Sequence, residues 1–308
     1  MGDFKDIDVP QGFLDPTALP QNPEERNRWQ DANRSWWEKH PMRYDFGEKI
    51  DSQEFSKEFY QEIDQRFFSN AKVYMPWRKI PFDHLIDFDS LNDKDVLEIG
   101  VGNGSHAQLL AQHARSYSGI DLTDYAVRST SERMRCFALH AIILQMDAEC
   151  MQFADNSFDF IWTWGVIHHS SNTRKILQEM HRVLRPGGRA ITMVYHRNLW
   201  NYVVVAGLFH GVLQGDLLKT RSLHKTRQRW IDGAIARFYS IPEWRSLVSE
   251  FFSVDNILIF GSKTEIVPLP RGVIKQAALR LIPNSLSRFL TNHCKLGTFL
   301  VSTLKKTV

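Results

Sequence analysis

The stretch Asp95-Val-Leu-Glu-Ile-Gly-Val-Gly-Asn-Gly-Ser105 decides the fold. Asp95 to Ile99 (DVLEI) is a short strand run that ends in glycines, and His106 to His113 continues in residues of helical composition. Strand, tight turn and helix therefore follow one another directly. Glycine allows positive φ and lets the backbone approach a ligand, because no Cβ intervenes. Gly100, Gly102 and Gly104 alternate as G-x-G-x-G, and Ser105 stands where a dinucleotide fingerprint has its third glycine. Alone, such a turn is a weak signal of a nucleotide site.

Outward from the turn, strands and helices alternate. Tyr117 to Leu122 reads as a strand, Tyr125 to Leu139 as a helix, and Ala141 to Met146 and Phe158 to Trp164 as strands. Arg174 to Leu184 follows as a helix and Arg189 to Tyr195 as a fifth strand. This order predicts a doubly wound α/β fold, a mostly parallel sheet with helices on both faces. Val254 to Phe260 and Thr298 to Leu304 bring the expected sheet to seven strands. Asp121 closes the second strand, where its carboxylate can accept hydrogen bonds from both ribose hydroxyls. Asp147 closes the third, where a carboxylate can take an adenine amino group. Together these describe an adenosine with no provision for a second nucleotide.

Four ordered motifs carry a resemblance: VLEIGVGNG, GIDLT, MDAECMQFADNSFDFIWTWGVIHH and EMHRVLRPGG. In that order and spacing, the segment from Asp95 to Tyr195 resembles a class I S-adenosylmethionine-dependent methyltransferase of the broad small-molecule group, with a methyltransferase type 11-like domain. The resemblance implies a Rossmann-like fold and S-adenosyl-L-methionine as cofactor. It implies that Glu98 and Gly100 border the methionine end, with Gly102 and Gly104 completing the turn. Asp121 would hold the ribose, Leu122 the adenine face, and Asp147 and Ala148 the adenine edge. Trp164 falls where the family holds the methionine amine with backbone carbonyls. Tyr74 and Trp77, ahead of the first strand, are placed by position over the cofactor carboxylate.

Catalytic residues are less sharply marked. His168 and His169 could take a proton from a nucleophile near the methyl group, although a His pair here is widespread in the family and equally serves positioning. Tyr195 and Tyr239 lie on loops expected at the carboxyl ends of strands, where open α/β sheets bind ligands, and packing of a lid is their plain alternative. The twelve histidines show no metal-binding spacing. Methyl transfer to O, N or C of a small, partly apolar acceptor of lipid, isoprenoid, quinone or polyketide type is the expectation. A sugar or phosphorylated acceptor, favoured if Lys219 to Arg229 points inward, is the polar alternative. A silent S-adenosylmethionine-binding partner protein is a third reading.

The remaining sequence divides around this core. Residues 1–28, with Pro10, Pro16, Pro20 and Pro23 among acids, read as a flexible arm, and 29–92, rich in aromatics, as a helical cover. The core spans 93–196, a lid or substrate insertion 197–251, and 252–308 returns to the sheet with a basic amphipathic helix from Val273 onward. Net charge is only +3, yet residues 271–308 carry seven Lys or Arg and no acid. That basic helix is open to three readings: solvated surface, peripheral membrane contact, or a homodimer face. Without interleaved aromatic and basic residues, nucleic acid is not expected. Three scattered cysteines and an acidic start fit a reducing, cytoplasmic setting.

Overall fold

A computed structural model describes residues 9–45, 49–231, 235–267, 269 and 272–307. Its sheet is built from β1 (Asp95–Ile99), β2 (Ser116–Asp121), β3 (Ile142–Gln145), β4 (Phe158–Trp164), β5 (Leu184–His196), β7 (Ser253–Phe260) and β8 (Phe299–Lys305), in the order β3-β2-β1-β4-β5-β8-β7. The first five pair in parallel, and β8 runs antiparallel to both its neighbours. An eighth strand, β6 (Phe238–Tyr239), pairs with the end of β5. The expected seven-stranded sheet is thus one strand short of the observed one. Two residues are too few to show a period.

Side-chain alternation along the central strands builds two cores. Leu97, Ile99, Ile161 and Val194 enter one, with α5 (Thr173–Val183) and Trp244 of α8 (Ile241–Val248). Val96, Phe160, Trp162 and Met193 enter the other, with α2 (Lys57–Tyr74) and α3 (Ser105–Ala111). The chain reverses its winding between β1 and β4, so the ligand crevice of such a sheet lies at their carboxyl ends.

Two boundaries differ from expectation. Residues 9–28 are not a loose arm: Phe13 is fully buried, edge-on to Trp29 at 5.8 Å, and α1 (Pro23–Lys39) starts with Asn22 accepting from the Glu25 N–H. Two apolar anchors outweigh the acidic composition around them; residues 1–8 lie outside those described. The lid ends earlier than residue 251. It comprises a long π-helix (Leu199–Leu213), α6 (Asp216–Thr220) and α7 (Leu223–Gln228), whereas Trp244 of α8 belongs to the main core. The basic helix occupies the expected positions as α9 (Val273–Leu281), and Pro283, which cannot continue it, separates it from α10 (Asn284–Arg288).

One buried carboxylate ties these parts together. Glu149, in the loop after β3, accepts from Ser171 Oγ at 2.6 Å, the Asn172 N–H at 2.8 Å and Arg26 Nε at 2.7 Å, and also from Ser170 Oγ. It therefore joins α1 to the loop that follows β4. Arg237 reinforces the joint, donating to the Ser171 and Ala18 carbonyls at 2.8 Å and to that of Ser170. Removing one partner from a buried ion pair typically costs about 3–5 kcal/mol, because the others lose their acceptor without regaining water. Glu149→Ala is accordingly expected to lower unfolding free energy by about that amount in urea titration.

Candidate active site

The glycine turn is fixed by what surrounds it. Gly100 has φ +83, and a Cβ there would come within 2.2 Å of Val166 Cγ2. At Gly104 a Cβ would meet Arg133 Cδ at 2.9 Å. Arg133 itself is fully buried, pairs with Asp64, and donates to Asn103 O at 3.1 Å and Gln108 Oε1 at 2.9 Å. Gly102, in contrast, has φ +53 and open space for 4 Å beyond its Cα. The turn is packed from below and free on the side where a ligand would lie.

Asp121 is bonded to this turn. Its Oδ2 accepts from the Gly102 N–H at 3.2 Å, and its Oδ1 from the Thr123 N–H and Oγ1 at 3.0 and 2.9 Å. Burial pushes its carboxyl upward, opposed by those hydrogen bonds. Leu122 follows it, its carbonyl taken by Gln145 Nε2 at 3.2 Å.

Glu98 is the register partner of Trp162 on the α3 side of the sheet and is almost wholly buried. Tyr117 donates its hydroxyl to Glu98 Oε2 at 2.6 Å, and burial pushes the carboxyl up to about 8. Beside it stands an aromatic wall. Trp162 and Trp164 stack at 5.3 Å, Phe82 meets Trp164 edge-on at 5.1 Å, and Trp77 stacks on Phe82 at 6.0 Å. His106 Nδ1 lies 4.0 Å from Glu98 Oε1, and burial drives that imidazole down to about 3, so it is neutral. Tyr74 is buried in the same core but packs against Phe299 at 5.3 Å.

At the other end, the Asp147 carboxylate receives Arg26 Nη2 at 2.7 Å, Gln30 Nε2 at 2.8 Å and the Glu149 N–H at 2.8 Å. Ala148 packs against the main core. Arg26 and Gln30 escaped sequence reasoning: Arg26 lay in the segment expected to be loose, and the contact spans 121 residues of chain. No local pattern announces it.

His168, His169 and Tyr195 come together. The His168 ring is fully buried, 4.1 Å from His169 and 4.0 Å from Tyr195, and neither of its nitrogens has a hydrogen-bond partner. Burial holds it well below the ordinary histidine range, with His169 and Arg237 adding to the effect. His169 Nδ1 lies 2.6 Å from the Ile235 carbonyl, which only a protonated nitrogen can face, so in the neutral ring Nε2 holds the lone pair. Trp37 meets His169 at 5.0 Å. Tyr239 is placed apart, donating to Thr173 Oγ1 at 3.0 Å and packing on Trp244 at 5.1 Å. Above Tyr195 the lid is aromatic, with Phe238 5.2 Å from Tyr195 and Tyr202 5.3 Å from Phe238.

Residues 97–192 match the family described as methyltransferase domain. A relative from Mycobacterium tuberculosis, a phthiotriol/phenolphthiotriol dimycocerosates methyltransferase, is 37% identical over 100 residues, which are 32% of this chain and 36% of that protein. The chain thus spans about a third of the length of that relative. A tRNA U34 carboxymethyltransferase from Pseudoalteromonas atlantica is 26% identical over 208 residues, 59% of this chain and 62% of that one. In three dimensions, a chain from the complex of the Haloferax volcanii Trm112 methyltransferase activator with its methyltransferase superposes with a TM-score of 0.51 at 15% identity, covering 82% of this chain and 95% of that chain. That likeness supports the fold. Sheet order, glycine turn and motif match converge on one conclusion: residues 97–192 form a methyltransferase domain on a doubly wound sheet, the kind of domain for which S-adenosyl-L-methionine is the cofactor.

Proposed function

We propose that this chain transfers a methyl group from S-adenosyl-L-methionine to a small, largely apolar acceptor. The observation that carries the reading is the bond between Asp121 and the Gly102 N–H, which fixes a ribose-type carboxylate against the open side of the glycine turn. Donor counting supports the fit. A carboxylate has about four lone-pair sites; among the described residues Asp121 accepts at three short contacts, with the Leu122 N–H also acting on it, and Asp147 accepts at three. At most one site would remain for a ribose hydroxyl, rather than the two expected, and one for the adenine amino group. Glu98, Gly100 and Trp164 would border the methionine end and Leu122 and Ala148 the adenine. Gly104 would only shape the turn. Trp77 would reach the site through Phe82, and Tyr74 would act through the core behind it.

When bound, the cofactor supplies a methyl group already activated on a sulfonium. The protein is left to align and to exclude water, and alignment alone can contribute up to about 7–11 kcal/mol. Trp37, Tyr195, Phe238 and Tyr202 would form an apolar wall for the acceptor, with the lid closing over it. The polar alternative needed the segment 219–229 to point inward; Lys219 instead has 67% of its side chain in water and Lys225 pairs with Asp15 at 3.1 Å, while Arg227 alone of these lies over the Phe238 ring at 5.0 Å. If the nucleophile arrives as a hydroxyl or amine, His169 is the better placed base, its ring oriented by the Ile235 carbonyl and Nε2 free of a proton. His168 and Tyr195 would position it, and Tyr239 would brace the loop through Thr173.

Three outcomes test the reading. Asp121→Ala is expected to weaken S-adenosylmethionine binding about 100-fold in calorimetry, and unchanged affinity would remove the central support. The Glu98 carboxyl is neutral below about 8 in the free protein. A cationic amine beside it favours the carboxylate, so binding expels a proton and affinity should rise with pH. The rise should end near pH 7.5, because an α-amine titrates at about 7.7–8.0; Glu98→Gln should flatten it. With methyl-labelled cofactor and a total lipid extract, label should enter the organic phase, and His169→Ala should slow its entry about 100-fold while His168→Phe slows it less. Label appearing only in water-soluble products would overturn the apolar acceptor.

A further inference from the structure

The lid presents water with a face that soluble proteins ordinarily bury. Its π-helix contains no charged residue over Leu199–Leu213. Because π-helical bonds run from i to i+5, residues four and five apart fall in line. Leu199, Val203, Leu208 and Val212 follow a 4-5-4 spacing and all are exposed, Leu199 at 68% and Val212 at 61%. Phe209 and Leu213 widen the stripe, and Leu218 of α6 extends the apolar surface at 85%. An apolar surface of this extent marks a contact site.

Basic residues follow the stripe along the chain. Between 199 and 230 the chain has five Lys or Arg, namely Lys219, Arg221, Lys225, Arg227 and Arg229, against the single acid Asp216. The side chain of Lys219 is 67% exposed. A second apolar surface lies on α9, where Val273 and Leu281 are 85% and 84% exposed and no residue of the helix is buried. Arg280 and Lys295 accompany it in a segment without acids.

Topology places both surfaces at one end of the molecule. Tyr195, Phe299 and Phe260 are register partners across β5, β8 and β7, so the π-helix leaving β5 and the helices between β7 and β8 emerge from the same sheet edge. Trp164, at the end of parallel β4, pairs with Met193 beside them. This is the end at which β1 and β2 present Gly100–Gly104 and Asp121.

We propose that the π-helix and α6–α7, seconded by α9, dock this end of the protein on an anionic lipid bilayer. Apolar side chains enter the acyl boundary, and the exposed Lys219, Arg221 and Lys225 side chains meet the phosphate headgroups. The membrane is favoured over a protein partner by charge complementarity: uncharged stripe and basic segment match the two layers of a bilayer leaflet. Docking at this end would deliver an apolar acceptor to the site from the lipid phase. That consequence rests on the methyltransferase reading, whereas the docking itself does not.

Co-sedimentation with sucrose-loaded vesicles tests it. The full chain should partition onto vesicles of phosphatidylglycerol and phosphatidylcholine in equal parts, less onto phosphatidylcholine alone, and progressively less as salt screens the headgroups. Leu208→Glu with Val212→Glu should lower partition about tenfold or more, since burying one such side chain is worth at least that factor. S-adenosylmethionine binding, measured in parallel, should be unchanged in this variant, which separates lost docking from lost folding and from failure of the cofactor assignment. Equal partition of the two proteins overturns the proposal. So does a mass in light scattering that doubles in the parent and not in the variant while neither binds vesicles, which would assign the stripe to a second copy of the chain.

Discussion

The Glu149 carboxylate is the joint on which the site depends. It is buried, and burying a charge is costly unless hydrogen bonds replace the lost water. Here Arg26, two serine hydroxyls and a backbone N–H replace it. Those donors come from the N-terminal helix and from the loop that carries His168 and His169. A single acceptor thus decides where α1 and the loop after β4 stand relative to each other. Such a network is stable only when complete, which explains why α1 docks despite its acidic approach.

The same logic separates the two ends of the crevice. At the glycine turn, packing leaves no freedom: Val166 fills the space under Gly100 and Arg133 that under Gly104. The side chains there are set by sterics. At Asp147, the carboxylate proposed for the adenine end, Arg26 and Gln30 are held by polar contacts in largely buried surroundings. The helix that completes the site is therefore held by the kind of bond a ligand can share.

On the proposed reading, the surround of the methyl position would be largely aromatic. His106 and His168 are both held toward the uncharged form by burial, and rings surround them. Such a surround would suit transfer from a cationic donor, with Glu98 as the carboxylate at the methionine end and Arg227 over Phe238 at the lid. An acceptor fitting that surround would leave water reluctantly and gain from a route through an apolar phase.

Strand periodicity and the glycine turn determined which segments form the parallel strands and the place of Asp121, because both rest on local rules: alternation, φ > 0 and a carboxylate at a strand end. The motif order extended this to the cofactor. What tertiary structure alone decided is set by contacts between distant segments. Arg26 on Asp147, the docking of Phe13 on Trp29, the removal of Tyr239 to Thr173, and β6 beside β5 leave no periodic trace. Exposure belongs here too, since Leu199 to Leu213 reads as buried by composition and only its packing shows one face turned to solvent. A sequence fixes which residues are apolar; which of them face water depends on how many neighbours the fold can bring to cover them.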